Sequence, residues 1–165
     1  MSAAVSVPPL VALTFRPTYE LVGVAREFIS SLYQTILTDP SASSRLGLTT
    51  HELLENAMKY STDGKATLEI EIRRKNGQDL ICLRISNQSE AAHLVRLREL
   101  FDGMQRSESA FTYYTDLMRR NAKRVGSGLG LARIWAEADM TMSCEIAGKV
   151  ATIVAQTAVE VRQLR

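Results

Sequence analysis

The segment from Thr67 to Arg73 alternates without a break, with Leu68, Ile70 and Ile72 on one side and Glu69, Glu71 and Arg73 on the other. A strand with this pattern can bury only one face. Asn76-Gly77 follows, a dipeptide suited to a two-residue hairpin turn, and Ile81, Leu83 and Ile85 then resume the alternation. Two further strand-like runs flank Gly148-Lys149 near the end of the chain. One-faced hairpins are at odds with a parallel sheet covered on both sides. The helical segments between them must therefore cover a single face, which predicts an α+β two-layer sandwich built on a mixed, mostly antiparallel sheet.

Those helical segments can be placed roughly. Pro17 opens a helical pattern in which Leu21, Ala25, Phe28, Leu32 and Ile36 form the expected apolar face. Thr38 to Ser44, containing Asp39-Pro40, reads as a loop. A helix is expected from about Leu46 to Tyr60, with Leu46, Leu53, Ala57 and Tyr60 on its apolar side and Gly47 weakening its first turn. Another runs from about Ala92 to Phe101, with Gly103 as its stop. Ser107 or Ser109 would cap the next, which passes Tyr114 and Leu117 and ends in the basic cluster Arg119, Arg120, Lys123 and Arg124. The glycine-rich stretch from Gly126 to Leu131 opens a last helix that reaches about Ala138.

Length and composition narrow the function classes. A chain of 165 residues predicts one domain spanning 1–165. A net charge of +2 gives no reason to expect nucleic acid as a partner. Cys82 and Cys144 fall in strand-like runs, where a free cysteine behaves as a small buried hydrophobe, and no disulfide framework or zinc site is expected. The start of the chain lacks a basic leader and carries Pro8-Pro9, and no run approaches membrane-spanning length. The expectation is a cytoplasmic protein without a membrane partner.

Three segments have the composition of a chemical site. Glu52 and Asn56 are four residues apart, so they share a helix face at the edge of the apolar stripe. A carboxylate there can take a proton from a hydroxyl. An amide oxygen one turn on suits Mg²⁺, and Lys59 suits a phosphate. By itself, though, this spacing more often marks a solvated polar face. Gly126-Ser127-Gly128-Leu129-Gly130-Leu131 lets successive N–H groups converge on an anion at a helix start. No Gly-Lys-Ser/Thr follows, so it is not a P-loop. Asn87 shares the parity of Ile81, Leu83 and Ile85, which aims a polar group inward at a strand end unless the strand simply stops in an Asn turn.

Taken together these segments resemble the GHKL ATP-binding superfamily over nearly the whole chain. Glu52 and Asn56 match its N-box, which implies a base and a Mg²⁺ ligand; Gly126 to Leu131 match its G-x-G-L-G-L box, which implies phosphate binding. Residues 89–125 would be the ATP lid. The N-terminal half, from Leu13-Thr14-Phe15-Arg16-Pro17 to Asn56-Ala57, is similar to the anti-sigma-factor serine kinases, and the Tyr113-Tyr114 insert resembles the SiaB-type partner-switching branch. Where the superfamily carries Asp-x-Gly-x-Gly, this chain reads Asn87-Gln88-Ser89-Glu90-Ala91, placing Asn87 as the adenine reader. The resemblance implies an ATP- and Mg²⁺-dependent serine/threonine kinase acting on a STAS-like protein, with a sigma factor or other regulator as a further partner and a homodimer as its assembly. The missing Asp-x-Gly-x-Gly implies the alternative, a protein-binding, anti-sigma-like module with weak or no ATP turnover.

Overall fold

The structure is a computed structural model that describes residues 9–121 and 128–162. Five strands, β1 (Val11–Phe15), β2 (Ala66–Lys75), β3 (Gln78–Gln88), β4 (Thr141–Ala147) and β5 (Val150–Val159), form one sheet in the order β1-β2-β3-β5-β4. Every pairing among the described residues is antiparallel, so the expected mixed sheet is corrected to a fully antiparallel one. Local turns set two of these pairings: both hairpins close through two-residue turns, with Asn76 at φ 52° and Gly77 at φ 78° in the first and Gly148 at φ 59° in the second, while β1–β2 and β3–β5 pair across the intervening helices.

Register follows the alternation. Leu68 pairs with Ile85 and Ile85 with Ile153, so apolar side chains line up on one face. The opposite face carries hydroxyls and charges: Thr14 lies 3.1 Å from Thr67, and Ser86 2.9 Å from Thr152. Cys82 is buried on that polar face and Cys144 is half-buried on the other. Burial pushes both thiols up, Cys144 to about 11, which keeps them protonated and unreactive.

The helices are α1 (Tyr19–Ile36), α2 (Pro40–Tyr60), α3 (Ala91–Arg106), α4 (Ala110–Asn121) and α5 (Leu129–Glu137). Three differ from expectation for identifiable reasons. In α1 the buried stripe is Val22, Ala25, Ile29, Tyr33 and Ile36; Leu21 and Phe28 are 45% and 49% exposed. Two stripes of the same period lie side by side on this helix. The one containing Tyr33 goes inward, and its hydroxyl is satisfied there by Thr50 Oγ1 at 2.9 Å.

Helix α2 begins at Pro40, six residues before the expected start. Asp39 caps it, accepting from the N–H groups of Ser41 at 2.8 Å and Ala42 at 3.2 Å, while Pro40 occupies the first turn. Helix α3 runs through Gly103 to Arg106. There the missing side chain makes room for α4, since a Cβ on Gly103 would lie 2.6 Å from the Tyr113 hydroxyl. Ser109 caps α4 as expected, accepting from Thr112 N–H at 3.3 Å.

Candidate functional site

Helix α2 is the spine of the site. Its inner side buries Leu46, Leu53, Leu54 and Ala57 in the core. One turn away from that stripe, Asn56, Lys59 and Tyr60 open onto a cleft of about 630 Å³. Helix α3 contributes His93, Arg96, Leu97 and Leu100, helix α4 contributes Tyr113, Leu117 and Arg120, and the start of α5 contributes Gly128 and Leu131. Among the described lining side chains Lys59, Arg96 and Arg120 are cationic and Glu99 is the one carboxylate. The cleft therefore favours an anion.

Gly128 sits at φ +70° at the entry to α5, a conformation few other residues tolerate. A Cβ there would also lie 3.0 Å from Leu100 Cδ2, so the glycine lets α3 and α5 approach. Gly130 performs a similar service on α2. A Cβ at Gly130 would overlap the Glu52 carboxylate, so the two sequence motifs meet at this glycine. Glu52 is mostly shielded, its side chain 18% exposed, and its Oε1 lies 3.7 Å from Arg133 Nη1. Arg133 is tied in turn to Glu137, with Nε donating to Oε2 at 2.8 Å. That hydrogen bond, with the charges of Glu137 and Glu52, raises the guanidinium pKa above its ordinary value.

On the far side of the cleft the rings of Tyr60 and His93 stack at 3.6 Å, inclined by 11°. His93 is buried, and its Nδ1 has no hydrogen-bond partner among the described residues. Burial, reinforced by Arg96 and Lys59, pushes its pKa down to about 4, so the ring is neutral near pH 7.

Of the residues singled out from sequence, Asn56, Lys59, Gly128 and Leu131 line the cleft. Glu52 and Gly130 meet beside it, and Leu129 is the first residue of α5. Gly126 and Ser127, with Lys123 and Arg124 of the basic cluster, lie outside the described residues. His93, Arg96 and Arg133 carried no motif signal. No spacing along the chain marks them either; the fold brings them to the site from α3 and α5.

Asn87 is buried on the helix-covered face, as its parity predicts, but it is not among the cleft residues. Its Nδ2 donates to Gln88 O at 3.0 Å and to Ser89 Oγ at 2.9 Å. An Asn87→Asp change would replace a satisfied donor with a carboxylate facing a carbonyl. We expect a loss of about 1–3 kcal/mol at pH 7. The introduced carboxyl would have its folded pKa raised above the unfolded value. Its neutral form is thus the better tolerated one, and the deficit should shrink as pH falls. Urea melts of both proteins at pH 7 and pH 4.5 check this; equal midpoints at pH 7 would contradict it.

No family model and no curated protein matches this chain. Among solved structures it is similar to a chain in the crystal structure of the SiaB–SiaC complex from Pseudomonas aeruginosa. The two are 14% identical and superpose with a TM-score of 0.61 over 92% of this chain and 91% of that one. At this identity the likeness is one of fold. Among the described residues, no helix is long and apolar enough to cross a membrane.

Proposed function

We propose that this chain is a Mg·ATP-dependent serine/threonine protein kinase of a partner-switching system, acting on a small STAS-like protein. The observation that carries the reading is the convergence at Gly130. The candidate base Glu52 meets the glycine box there, while Asn56, Lys59 and Gly128 open onto one cationic cleft. Lys59, Arg96 and Arg120 would hold the phosphates. The stacked Tyr60–His93 pair lines the same cleft and offers a flat ring surface to a base. The likeness to a chain of the SiaB–SiaC complex supports a protein partner and a switching role.

The residues present fit Mg²⁺ in a limited way. Asn56 supplies one amide oxygen, and no cluster of acidic, histidine or cysteine side chains among the described residues forms a protein cage. That suits a cation held mainly by phosphate oxygens and water. When bound it would neutralise charge developing on the transferred group. The residues of the chain do the remainder: the cations anchor the phosphates, Asn56 fixes one ligand position, and Glu52 accepts the acceptor's proton.

The alternative, a protein-binding module without turnover, draws support from Asn87. Its amide is committed to Gln88 and Ser89 and stands apart from the cleft. Calorimetry with Mg·ATP, alongside hydrogen exchange, separates the two. We expect saturable binding and slower exchange in α3 and α4, because a bound anion offsets the mutual repulsion of Arg96 and Arg120. A chain that binds a STAS-domain protein but gives no heat with Mg·ATP and unchanged exchange would establish the alternative.

A further inference from the structure

We propose that Arg133 is the positioning residue for Glu52, bridging it to Glu137 and fixing its carboxylate over Gly130. The inference rests on the kinase reading. Glu52 lies on α2 and Arg133 on α5, so their contact at 3.7 Å spans the joint between the two sequence boxes. Arg133 is itself held at 2.8 Å by Glu137, one turn further along α5. A side chain restrained at both ends is a stiffer support than a lone surface pair. Gly130 leaves the space into which Arg133 draws the carboxylate. The Arg133 and Glu137 side chains are 43% and 45% exposed. The Arg133–Glu137 pair is therefore open to solvent, where a protein hydroxyl can reach it.

The step it serves balances as follows. The acceptor oxygen forms a bond to the γ-phosphorus as the bond from that phosphorus to the β–γ bridging oxygen breaks. ADP leaves with the electron pair, and the hydroxyl proton passes to Glu52. Phosphoryl transfer depends heavily on positioning, so a carboxylate held in one orientation is what Arg133 contributes to the step.

The test uses the full chain with Mg·ATP and a purified STAS-domain protein, with phosphate release from Mg·ATP alone as a partner-free rate. Arg133→Met, Arg133→Lys, Glu52→Gln and the Glu52→Gln/Arg133→Met double variant are compared. We expect Arg133→Met to lower kcat about tenfold, leaving the Mg·ATP Kd, the KM for ATP and the melting temperature near wild type. Arg133→Lys should recover part of the loss. In the Glu52→Gln background, Arg133→Met should add nothing, since it acts through Glu52. If wild type turns over but Arg133→Met matches it, the inference is wrong and the kinase reading stands. Additive losses in the double variant, or a parallel fall in ATP affinity and melting temperature without rescue by lysine, assign Arg133 a structural role and overturn the inference. A wild type that neither transfers phosphate nor releases it overturns the kinase reading and the inference together.

Discussion

Gly130→Ala should leave the protein folded and able to bind Mg·ATP, yet lower phosphotransfer about 100-fold. The new methyl would occupy the space that the Glu52 carboxylate now fills. Backbone cannot yield there, because Leu131 and Ala132 beside it are buried in the core. The carboxylate can yield, by rotating outward past Arg133, and with it goes the proposed base. Stability should change little, since alanine is a better helix residue than glycine by about 1 kcal/mol, which offsets the local crowding. Melting temperature, calorimetry and transfer to a STAS-domain protein check the three parts. Unchanged transfer would mean that the meeting of Glu52 and Gly130 has no catalytic role. A large drop in melting temperature would mean that it is structural.

The sheet was legible in the sequence because its information is local. Alternation from Thr67 to Arg73 and from Ile81 to Ile85 decides which face is buried, and Asn76-Gly77 decides how the strands connect. Helix starts were legible where read fully. Asp39-Pro40 is a cap followed by a first-turn proline, but the same dipeptide also suits a turn, and only the contacts of α2 with the core decide between them. The face of α1 was ambiguous in principle. The stripe through Leu21 and Phe28 and the stripe through Ile29 and Tyr33 share one period, and the Tyr33–Thr50 bond that accompanies burial of the second joins residues on different helices. Gly103 misled for a similar reason. Glycine stops helices often, but here it stands inside one to admit Tyr113.

The candidate site divides the same way. Glu52, Asn56 and Gly128 were legible because each belongs to a short spacing with a chemical meaning. His93, Arg96 and Arg133 matter only through what the fold places opposite them, and no spacing along the chain encodes a neighbour on another helix. The stretch over residues 89–125 read as a lid, and its described part is two helices that wall the cleft with cations. Asn87 shows the limit of parity arguments. Alternation placed it on the covered face, whereas its bonds to Gln88 and Ser89 decide what its amide does there.

Glu52→Gln and Asn56→Ala should fail in different ways, although the two residues share one face of α2. Glu52→Gln keeps the size of the side chain and a carbonyl oxygen for Arg133, so packing against Gly130 should persist. It removes the group that accepts the proton. Mg·ATP should still bind, and transfer should fall by about 10²–10⁴-fold, the usual range for loss of a general base. Asn56→Ala removes the proposed metal ligand from the cleft wall, so Mg·ATP affinity and transfer should fall together. Neither side chain is part of the buried core, and binding of a STAS-domain protein should survive both changes. The readouts are Mg·ATP affinity by calorimetry, single-turnover transfer, and partner binding by light scattering. Equal losses of affinity in both variants would show that Glu52 serves nucleotide binding instead of proton transfer. Full transfer in Glu52→Gln would remove it from the chemistry and leave positioning by the cationic cleft as the whole of the catalysis.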